Sequence, residues 1–283
     1  NFSAKSVVIS DVVVSHGYVY FTTFGNPPED KIFALNASTG SLIWASPTSV
    51  PPFGGSSPTV LDDYVYTSTD AYDAFTGKLM FNYSSYGGST SPTVAQGLVY
   101  IGSSTNAPSG PGGVFALDAI TGECVWNFTG AKGNFPFGGK LFHSPAVADG
   151  IVYFSSGGGV YALNASTGRQ MWHNSAVNAS LGSLGCIAVG NGRVFDNVQG
   201  HLYCLDALTG NELWSYPIGA AQVTPAIADG YVYAGAYKLD ASNGEVIWNN
   251  TLLALSSPSI ACDKIYSAYY NLTNPGPNPT LTH

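Results

Sequence analysis

One phrase recurs six times along this chain and restricts its fold more than any other feature. It reads Leu-Asp/Asn-Ala-x-Thr-Gly, with single departures in the second and sixth copies, and an aromatic residue follows the glycine after three further residues. Self-similarity at a period of about 40 residues is typical of propellers and solenoids. The aromatic residues that end the six copies are Trp44, Phe81, Trp126, Trp172, Trp214 and Trp248.

A second phrase precedes each copy and supplies the strand signals. A Ser-Pro-like start is followed by a Gly or Asp turn and then by a Val-Tyr or Val-Phe run, as in Ser144-Pro145 to Tyr153. Asp-Gly and Asn-Gly pairs such as Asp149-Gly150 favour tight hairpins, and the runs between turns are rich in β-branched and aromatic residues. No segment sustains the apolar period of about 3.6 residues that indicates a helix. Each repeat is therefore predicted to form four short antiparallel strands in an all-β chain.

The pattern resembles the pyrroloquinoline-quinone-type (PQQ-like) repeat and its tryptophan-docking motif. The motif is carried by the segments Ala34–Trp44, Ala116–Trp126, Ala162–Trp172 and Cys204–Trp214. The resemblance implies a β-propeller of four-stranded antiparallel blades in which the aromatic residue of each blade stacks on the next blade. Phe81 replaces the tryptophan in the second copy, where we expect a weaker contact between blades.

The number of blades follows from counting the two phrases. Seven copies of the strand phrase but six of the turn phrase are present, so residues 1–270 are predicted to form one propeller of seven blades, with six as the alternative. Residues 1–9 are predicted to be a closing or donor strand without a partner of its own, and 271–283 a Pro-rich tail. A terminal strand of the same chain or of a neighbouring chain would complete the last blade. The predicted blades lie near 10–47, 57–84, 91–130, 144–175, 185–217, 224–250 and, in part, 257–270.

Composition and charge exclude several classes of partner. Charged residues make up 9% of the chain and the net charge is −8, without a basic cluster that would neutralise nucleic-acid phosphates. No apolar stretch reaches the about 18 residues of a membrane-spanning helix. Because the chain begins at Asn1 without an initiator Met, we expect that a signal peptide has been removed and that the protein is extracellular or at a cell surface.

Asn-x-Ser/Thr sequons are more frequent than composition alone predicts, and they favour N-linked glycans. Asn36 and Asn164 also serve as turn residues of the repeat, so their sequons have a second explanation. The candidate glycosylation sites are Asn1, Asn36, Asn82, Asn127, Asn164, Asn178, Asn249 and Asn271.

Four cysteines raise the question of disulfides. An even number in a secreted chain allows two bridges with three possible connectivities, and small buried thiols are the alternative. The candidates are Cys124, Cys186, Cys204 and Cys262.

The sequence contains no recognisable catalytic constellation. The five histidines form no metal-binding pair and no Gly-x-Ser-x-Gly motif is present. Quinone-dependent dehydrogenases of the PQQ-like resemblance carry adjacent cysteines and a calcium site with a catalytic Asp, none of which this chain matches. We therefore predict no catalytic residue, no metal and no cofactor.

Three functions remain as hypotheses. The first is a glycosylated structural component of a cell surface, in the style of archaeal envelope proteins, that assembles with itself into a filament or layer. The second is a monomeric module that binds a protein or glycan, for which Phe53 and Phe137 in two similar Pro-Phe-Gly-Gly loops are candidate rim contacts. The third, less favoured, is a quinone-dependent dehydrogenase.

Overall fold

The computed structural model of the chain is all-β apart from one 3-10 turn at Ser84–Tyr86. Statements about structure below refer to the residues that it describes. These are 2–4, 7–8, 10–24, 30–49, 56–86, 88, 90–103, 113–129, 144–156, 158–177, 186–219, 223–250, 257–261, 264–269 and 280–282.

Twenty-eight strands form seven antiparallel sheets in chain order in these ranges. The first sheet contains β1 (Val7–Val8), β2 (Val13–Ser15), β3 (Tyr18–Phe24), β4 (Lys31–Asn36) and β5 (Leu42–Pro47). The second contains β6 (Thr59–Leu61), β7 (Tyr64–Tyr66), β8 (Asp70–Asp73) and β9 (Leu79–Asn82), and the third β10 (Thr93–Ala95), β11 (Leu98–Ser103), β12 (Gly113–Asp118) and β13 (Cys124–Phe128).

The remaining four sheets follow the same order. The fourth contains β14 (Ala146–Ala148), β15 (Ile151–Ser156), β16 (Gly159–Asn164) and β17 (Gln170–Asn174), and the fifth contains β18 (Cys186–Gly190), β19 (Arg193–Val198), β20 (His201–Asp206) and β21 (Glu212–Pro217). The sixth contains β22 (Ala226–Ala228), β23 (Tyr231–Ala234), β24 (Tyr237–Asp240) and β25 (Val246–Asn249). The seventh contains β26 (Ser259–Ala261), β27 (Lys264–Tyr269) and β28 (Thr280–Thr282). The prediction of four-stranded antiparallel blades with a smaller seventh is confirmed.

The N-terminal segment corrects one prediction. We expected residues 1–9 to have no partner of their own and to act as a closing or donor strand, but Val7 and Val8 pair with Phe24 and Thr23 of β3. Strands β1 and β2 thus share one edge of β3, and the first sheet remains four strands wide. Phe2 also packs on this sheet, with its ring centroid 5.5 Å from that of Phe33. The first sheet therefore uses the N-terminal residues that the sequence suggested for closure or donation.

The seventh sheet gains a strand from the C-terminal tail. Strand β28 pairs with the last three residues of β27, in the register Ser267↔Thr282, Ala268↔Leu281 and Tyr269↔Thr280. In that tail, the residues typical of a β-strand are confined to Thr280-Leu281-Thr282. The sheet remains one strand narrower than the others within the described part of the chain.

The apolar cores lie between successive sheets. One contains Tyr20 and Trp44 of the first sheet with Tyr72 and Ala74 of the second, and others repeat the arrangement further along. The first three sheets belong to one compact unit and the other four to a second. In each of the first six sheets the register between the third and fourth strands shifts just before the Asx turn. The docking aromatic residue of each sheet lies opposite the same third-strand position, which is Ala34 in the first sheet.

Candidate functional site

The contact between the first two sheets shows how the repeated phrase works. The backbone carbonyl of Ala74 accepts two hydrogen bonds from the preceding sheet, from Tyr20 Oη at 3.1 Å and from Trp44 Nε1 at 2.9 Å. Gly77, at φ +70°, lies so close to the indole that an added Cβ would be 2.5 Å from it. The turn of the second sheet therefore supplies the acceptor carbonyl and a glycine without a side chain, on which the indole packs. The first sheet supplies the two hydrogen-bond donors and the indole ring.

The same contact recurs between the fourth and fifth sheets. Tyr153 Oη and Trp172 Nε1 donate to the carbonyl of Ala207 at 3.2 and 2.9 Å, and a Cβ on Gly210 would lie 2.5 Å from the Trp172 ring. The second-strand tyrosines were not identified from the sequence, although their recurrence in the Val-Tyr phrase was a visible signal.

Two copies depart from this arrangement. Phe81 still packs on the third sheet, where a Cβ on Gly122 would lie 2.4 Å from its ring, but only Tyr66 donates to Ala119. In the fifth sheet Phe195 replaces the tyrosine, and the Ala241 carbonyl accepts from Trp214 Nε1 at 3.2 Å and more weakly from Cys204 Sγ at 4.0 Å.

The turns themselves are held by the Asx side chain. Oδ1 of Asp206 accepts from the backbone N–H of Leu208 and Thr209 and from the Thr209 hydroxyl. These hydrogen bonds lower the pKa of Asp206. Asparagine serves equally in the first turn, where Asn36 Oδ1 accepts from the N–H of Ser38 and Thr39, both at 2.9 Å.

The sixth sheet carries the donor pair without an acceptor. Tyr233 and Trp248 have ring centroids 6.4 Å apart, close to the 6.0 Å of Tyr20 and Trp44. Neither Tyr233 Oη nor Trp248 Nε1 has a hydrogen-bond partner among the described residues. Trp248 is 40% exposed, whereas Trp44 and Trp172 are each 8% exposed. Tyr233 itself is 8% exposed. We call the surface of Trp248 and Lys238, with the buried Tyr233 beside them, the open docking face.

Lys238 distinguishes the open docking face from its counterparts. The residues at its position in the first four sheets are completely buried alanines, Ala34, Ala71, Ala116 and Ala162. The Lys238 ammonium lies 3.8 Å from the centre of the Tyr231 ring and 5.4 Å from that of Tyr233, a cation–π arrangement. The lysine thus folds onto its own sheet beside the exposed indole.

The seventh sheet explains why the docking face is open. Its first strand follows the sixth sheet normally, since Thr224 N–H donates to Ser257 Oγ at 3.0 Å as Ser57 N–H donates to Ser91 Oγ at 2.7 Å between earlier sheets. Strand β28, however, pairs only with Ser267–Tyr269, and Lys264 and Ile265 have no third-strand partner in the described part of the chain. In other sheets this missing part leads into the acceptor turn.

Two buried carboxyl groups lie outside the docking contacts and were missed by the sequence analysis. Asp70 accepts from Ser49 N–H, Ser49 Oγ, Thr69 Oγ1 and Asn82 Nδ2 at 2.5 to 2.9 Å. Asp196 accepts from Ser155 Oγ at 3.0 Å, its other oxygen has no partner among the described residues, and burial raises its pKa to about 7.

The predicted glycosylation sites fall in different surroundings. Asn127 and Asn249 are exposed on outer strands, and the Asn36 and Asn164 side chains hold turns. Asn82 donates its amide hydrogens to Asp70 Oδ1 and to the Thr69 carbonyl, so a glycan on that nitrogen would displace at least one of these bonds. Asn1, Asn178 and Asn271 lie outside the described residues.

The cysteines and the rim phenylalanines are only partly described. Cys124 and Cys204 are free thiols in this structure. Cys204 packs in the core between the fifth and sixth sheets, where burial raises its pKa to about 12. The Cys186 side chain and the residues Cys262, Phe53 and Phe137 lie outside the described residues.

Repeated Asx turns, docking aromatics and four-stranded sheets together define a β-propeller of PQQ-like repeats. Residues 28–250 match the family described as "Outer membrane protein assembly factor BamB". The chain belongs to this family, which confirms the resemblance drawn from its repeats.

Solved structures agree on the fold. BamB from Moraxella catarrhalis is 19% identical with a TM-score of 0.73, and the alignment covers 95% of this chain and 82% of that one. Quinohemoprotein alcohol dehydrogenase from Comamonas testosteroni is 15% identical with a TM-score of 0.71, over 94% of this chain and 64% of that one. A europium-containing methanol dehydrogenase is 15% identical with a TM-score of 0.62, over 92% and 72%. A comparison with curated proteins found no match.

The quinone and calcium site that the resemblance to PQQ-like dehydrogenases implies has no match among the described residues. No group of three or more His, Cys, Asp or Glu side chains suited to a metal ion occurs in the described ranges. The sequence also has no adjacent cysteines. Because these residues do not fit that cofactor set, we derive no catalytic step through it. In the described residues we also find no helix of the length and apolarity needed to cross a membrane.

Proposed function

We propose that this propeller is a non-catalytic, glycosylated structural protein of a cell surface that assembles with itself by exchanging its C-terminal strand between copies. The observation that carries the proposal is the seventh sheet, in which β28 pairs with β27. In the isolated chain this pairing is made within one molecule. In the assembly we expect the same register between β28 of one copy and β27 of the next.

The connection before β28 supports exchange. Ten residues, 270–279, join β27 to β28, although the joined ends Tyr269 and Thr280 lie directly opposite each other. Two residues suffice for the equivalent connection between β19 and β20. A Pro-rich segment favours extended conformations of about 3 Å per residue, and Pro275, Pro277 and Pro279 occur here. Such a connection has a reach of about 30 Å, enough to place β28 on a second molecule.

The outer edge of the seventh sheet, which no further strand covers in the described part of the chain, supports it independently. Backbone N–H and C=O groups at an uncovered edge pair readily with another strand. Exchange of an identical element costs little because each copy loses and regains the same contacts. A head-to-tail exchange builds an open filament unless the rotation between successive copies closes a ring.

The surface chemistry fits an extracytoplasmic location. Charged residues are only 9% of the chain, and the exposed sequons Asn127 and Asn249 are the two that we expect to carry glycans. Glycans at these outer-strand positions would cover neutral surface that is otherwise prone to non-specific association.

Sedimentation velocity over a range of concentrations, with negative-stain electron microscopy, tests the proposal. The intact glycosylated chain is expected to form filaments or layers. A truncation after Pro279, which removes β28, is expected to leave single particles. The matched control removes residues 1–9, whose strand β1 pairs within its own sheet, and should still assemble. Assembly by the C-terminal truncation would contradict strand exchange. Single particles of the intact chain at every concentration would contradict self-assembly and favour a monomeric binding module.

A further inference from the structure

Every complete docking contact described above has a donor half and an acceptor half. The donor half is a second-strand tyrosine with a fourth-strand tryptophan, and the acceptor half is an alanine carbonyl with a turn glycine in the next sheet. The sixth sheet presents a donor half, Tyr233 and Trp248, without an acceptor among the described residues.

The first sheet presents the complementary half. A Cβ on Gly40, at φ +68°, would have no described heavy atom within 4 Å, whereas those on Gly77, Gly122, Gly210 and Gly244 would lie 2.4 to 2.7 Å from an aromatic ring. The carbonyl of Ala37, which corresponds to that of Ala74, has no side-chain donor within the described residues. The Asn36 turn is nevertheless fully formed.

We infer that the open docking face of one molecule binds the turn Asn36–Gly40 of a second copy. Trp248 Nε1 would donate to the Ala37 carbonyl, and the indole would lie flat on Gly40. This inference rests on the proposed self-assembly and names a surface that it uses. Because the two halves are different surfaces, the contact is heterologous and repeats from copy to copy.

Lys238 suits a surface that is covered only in the assembly. A buried alanine at this position is suited to a contact between sheets that is always present. A lysine can keep its ammonium group in water while its aliphatic part packs on aromatic rings. Its ammonium already lies over Tyr231, so docking of a turn on Trp248 does not require the charge to be buried.

The test uses the full glycosylated chain and two variants that block opposite halves. Trp248→Ala removes the donor ring. Gly40→Asn keeps a residue that tolerates positive φ but places a side chain where the indole would lie. Ile247→Ala, next to Trp248 and 46% exposed, is the control for the first variant. Gly17→Asn, at φ +77° with no described heavy atom near its Cβ, is the control for the second.

Sedimentation velocity separates the outcomes. Each blocking variant is expected to weaken association at least tenfold, while both controls associate like the unmodified chain. An equimolar mixture of Trp248→Ala and Gly40→Asn restores one docking contact per pair and should associate more strongly than either variant alone. If the unmodified chain associates and the blocking variants associate equally well, or if their mixture associates no better than either variant alone, this inference is wrong and strand exchange stands. If the unmodified chain never associates, both fail.

Discussion

Asp196 is the residue with the largest conflict between its chemistry and its surroundings. The side chain is completely buried, and one carboxylate oxygen has no hydrogen-bond partner among the described residues. Burial disfavours the charged form and raises the pKa from 3.8 to about 7, although the hydrogen bond from Ser155 opposes the shift. Between these two pKa values the folded protein therefore holds a proton on Asp196 that the unfolded chain releases.

The Asp196 proton predicts a pH dependence of stability. A raised carboxyl pKa makes folding most favourable below the unfolded value and removes that contribution as the pH rises through about 7. We expect Asp196→Asn to have about the same free energy of unfolding as the unmodified protein near pH 4, and to be more stable by up to about 4 kcal/mol near pH 8.5. Urea denaturation at the two pH values measures this difference.

Asp206 provides a control of opposite sign. Its pKa is lowered by the Thr209 hydroxyl and by backbone N–H groups, so its contribution is present at neutral pH and is lost as the pH falls through its folded pKa. Asp206→Asn should therefore not be stabilised near pH 8.5. Equal stability of Asp196→Asn and the unmodified protein at both pH values would contradict this account of Asp196.

At the scale of elements, the sheets differ in how completely they dock. The third sheet offers the Ala119 carbonyl to the second sheet but receives only the Tyr66 hydroxyl, at 2.9 Å, because Phe81 has no N–H in its ring. The fifth sheet receives both donors at Ala207. The second and third sheets therefore lack one hydrogen bond that the fourth and fifth sheets make.

A reciprocal pair of substitutions tests this difference. Phe81→Trp is expected to add the missing hydrogen bond to Ala119 and to raise the free energy of unfolding by about 1 kcal/mol. Trp172→Phe is expected to lower it by about the same amount, because it removes the 2.9 Å bond to Ala207. Thermal or urea denaturation of both variants measures the changes. Destabilisation by Phe81→Trp would show that the indole does not fit against Gly122.

The repeated elements could be predicted from the sequence because each carries its own local signal. The turn phrase, the Asp-Gly hairpins and the docking aromatics together predicted the all-β, four-stranded blades. The Asp70 cluster could not be predicted, since it joins Ser49, Thr69 and Asn82 from three separate stretches of chain. The strands β7 and β8 beside this cluster are short, with three and four residues.

The ends of the chain were predicted less well for a physical reason. Val7-Val8 and Thr280–Thr282 are two- and three-residue strands, too short to carry a period, and their partners are fixed by tertiary contacts alone. The exposure of Trp248 could not be predicted either. Its copy of the turn phrase places the tryptophan at the same spacing as the other copies, and its surroundings depend on the incomplete sheet that follows.

At the scale of the whole molecule, the account depends on where β28 pairs in the assembly. Ala268 and Leu281 are direct partners in the register of β27 and β28, and opposite residues on antiparallel strands lie within the range that a disulfide spans. A cysteine at each position therefore reports which molecule supplies the strand.

The most direct measurement is the size of the product that forms when Ala268→Cys/Leu281→Cys is oxidised in the assembled state and denatured without reductant. The unmodified chain and each single variant control for the four native cysteines. Exchange between copies predicts a ladder of covalently linked chains that collapses to one band on reduction. A product that remains a single chain, cross-linked within itself while the assembly is intact, would contradict exchange.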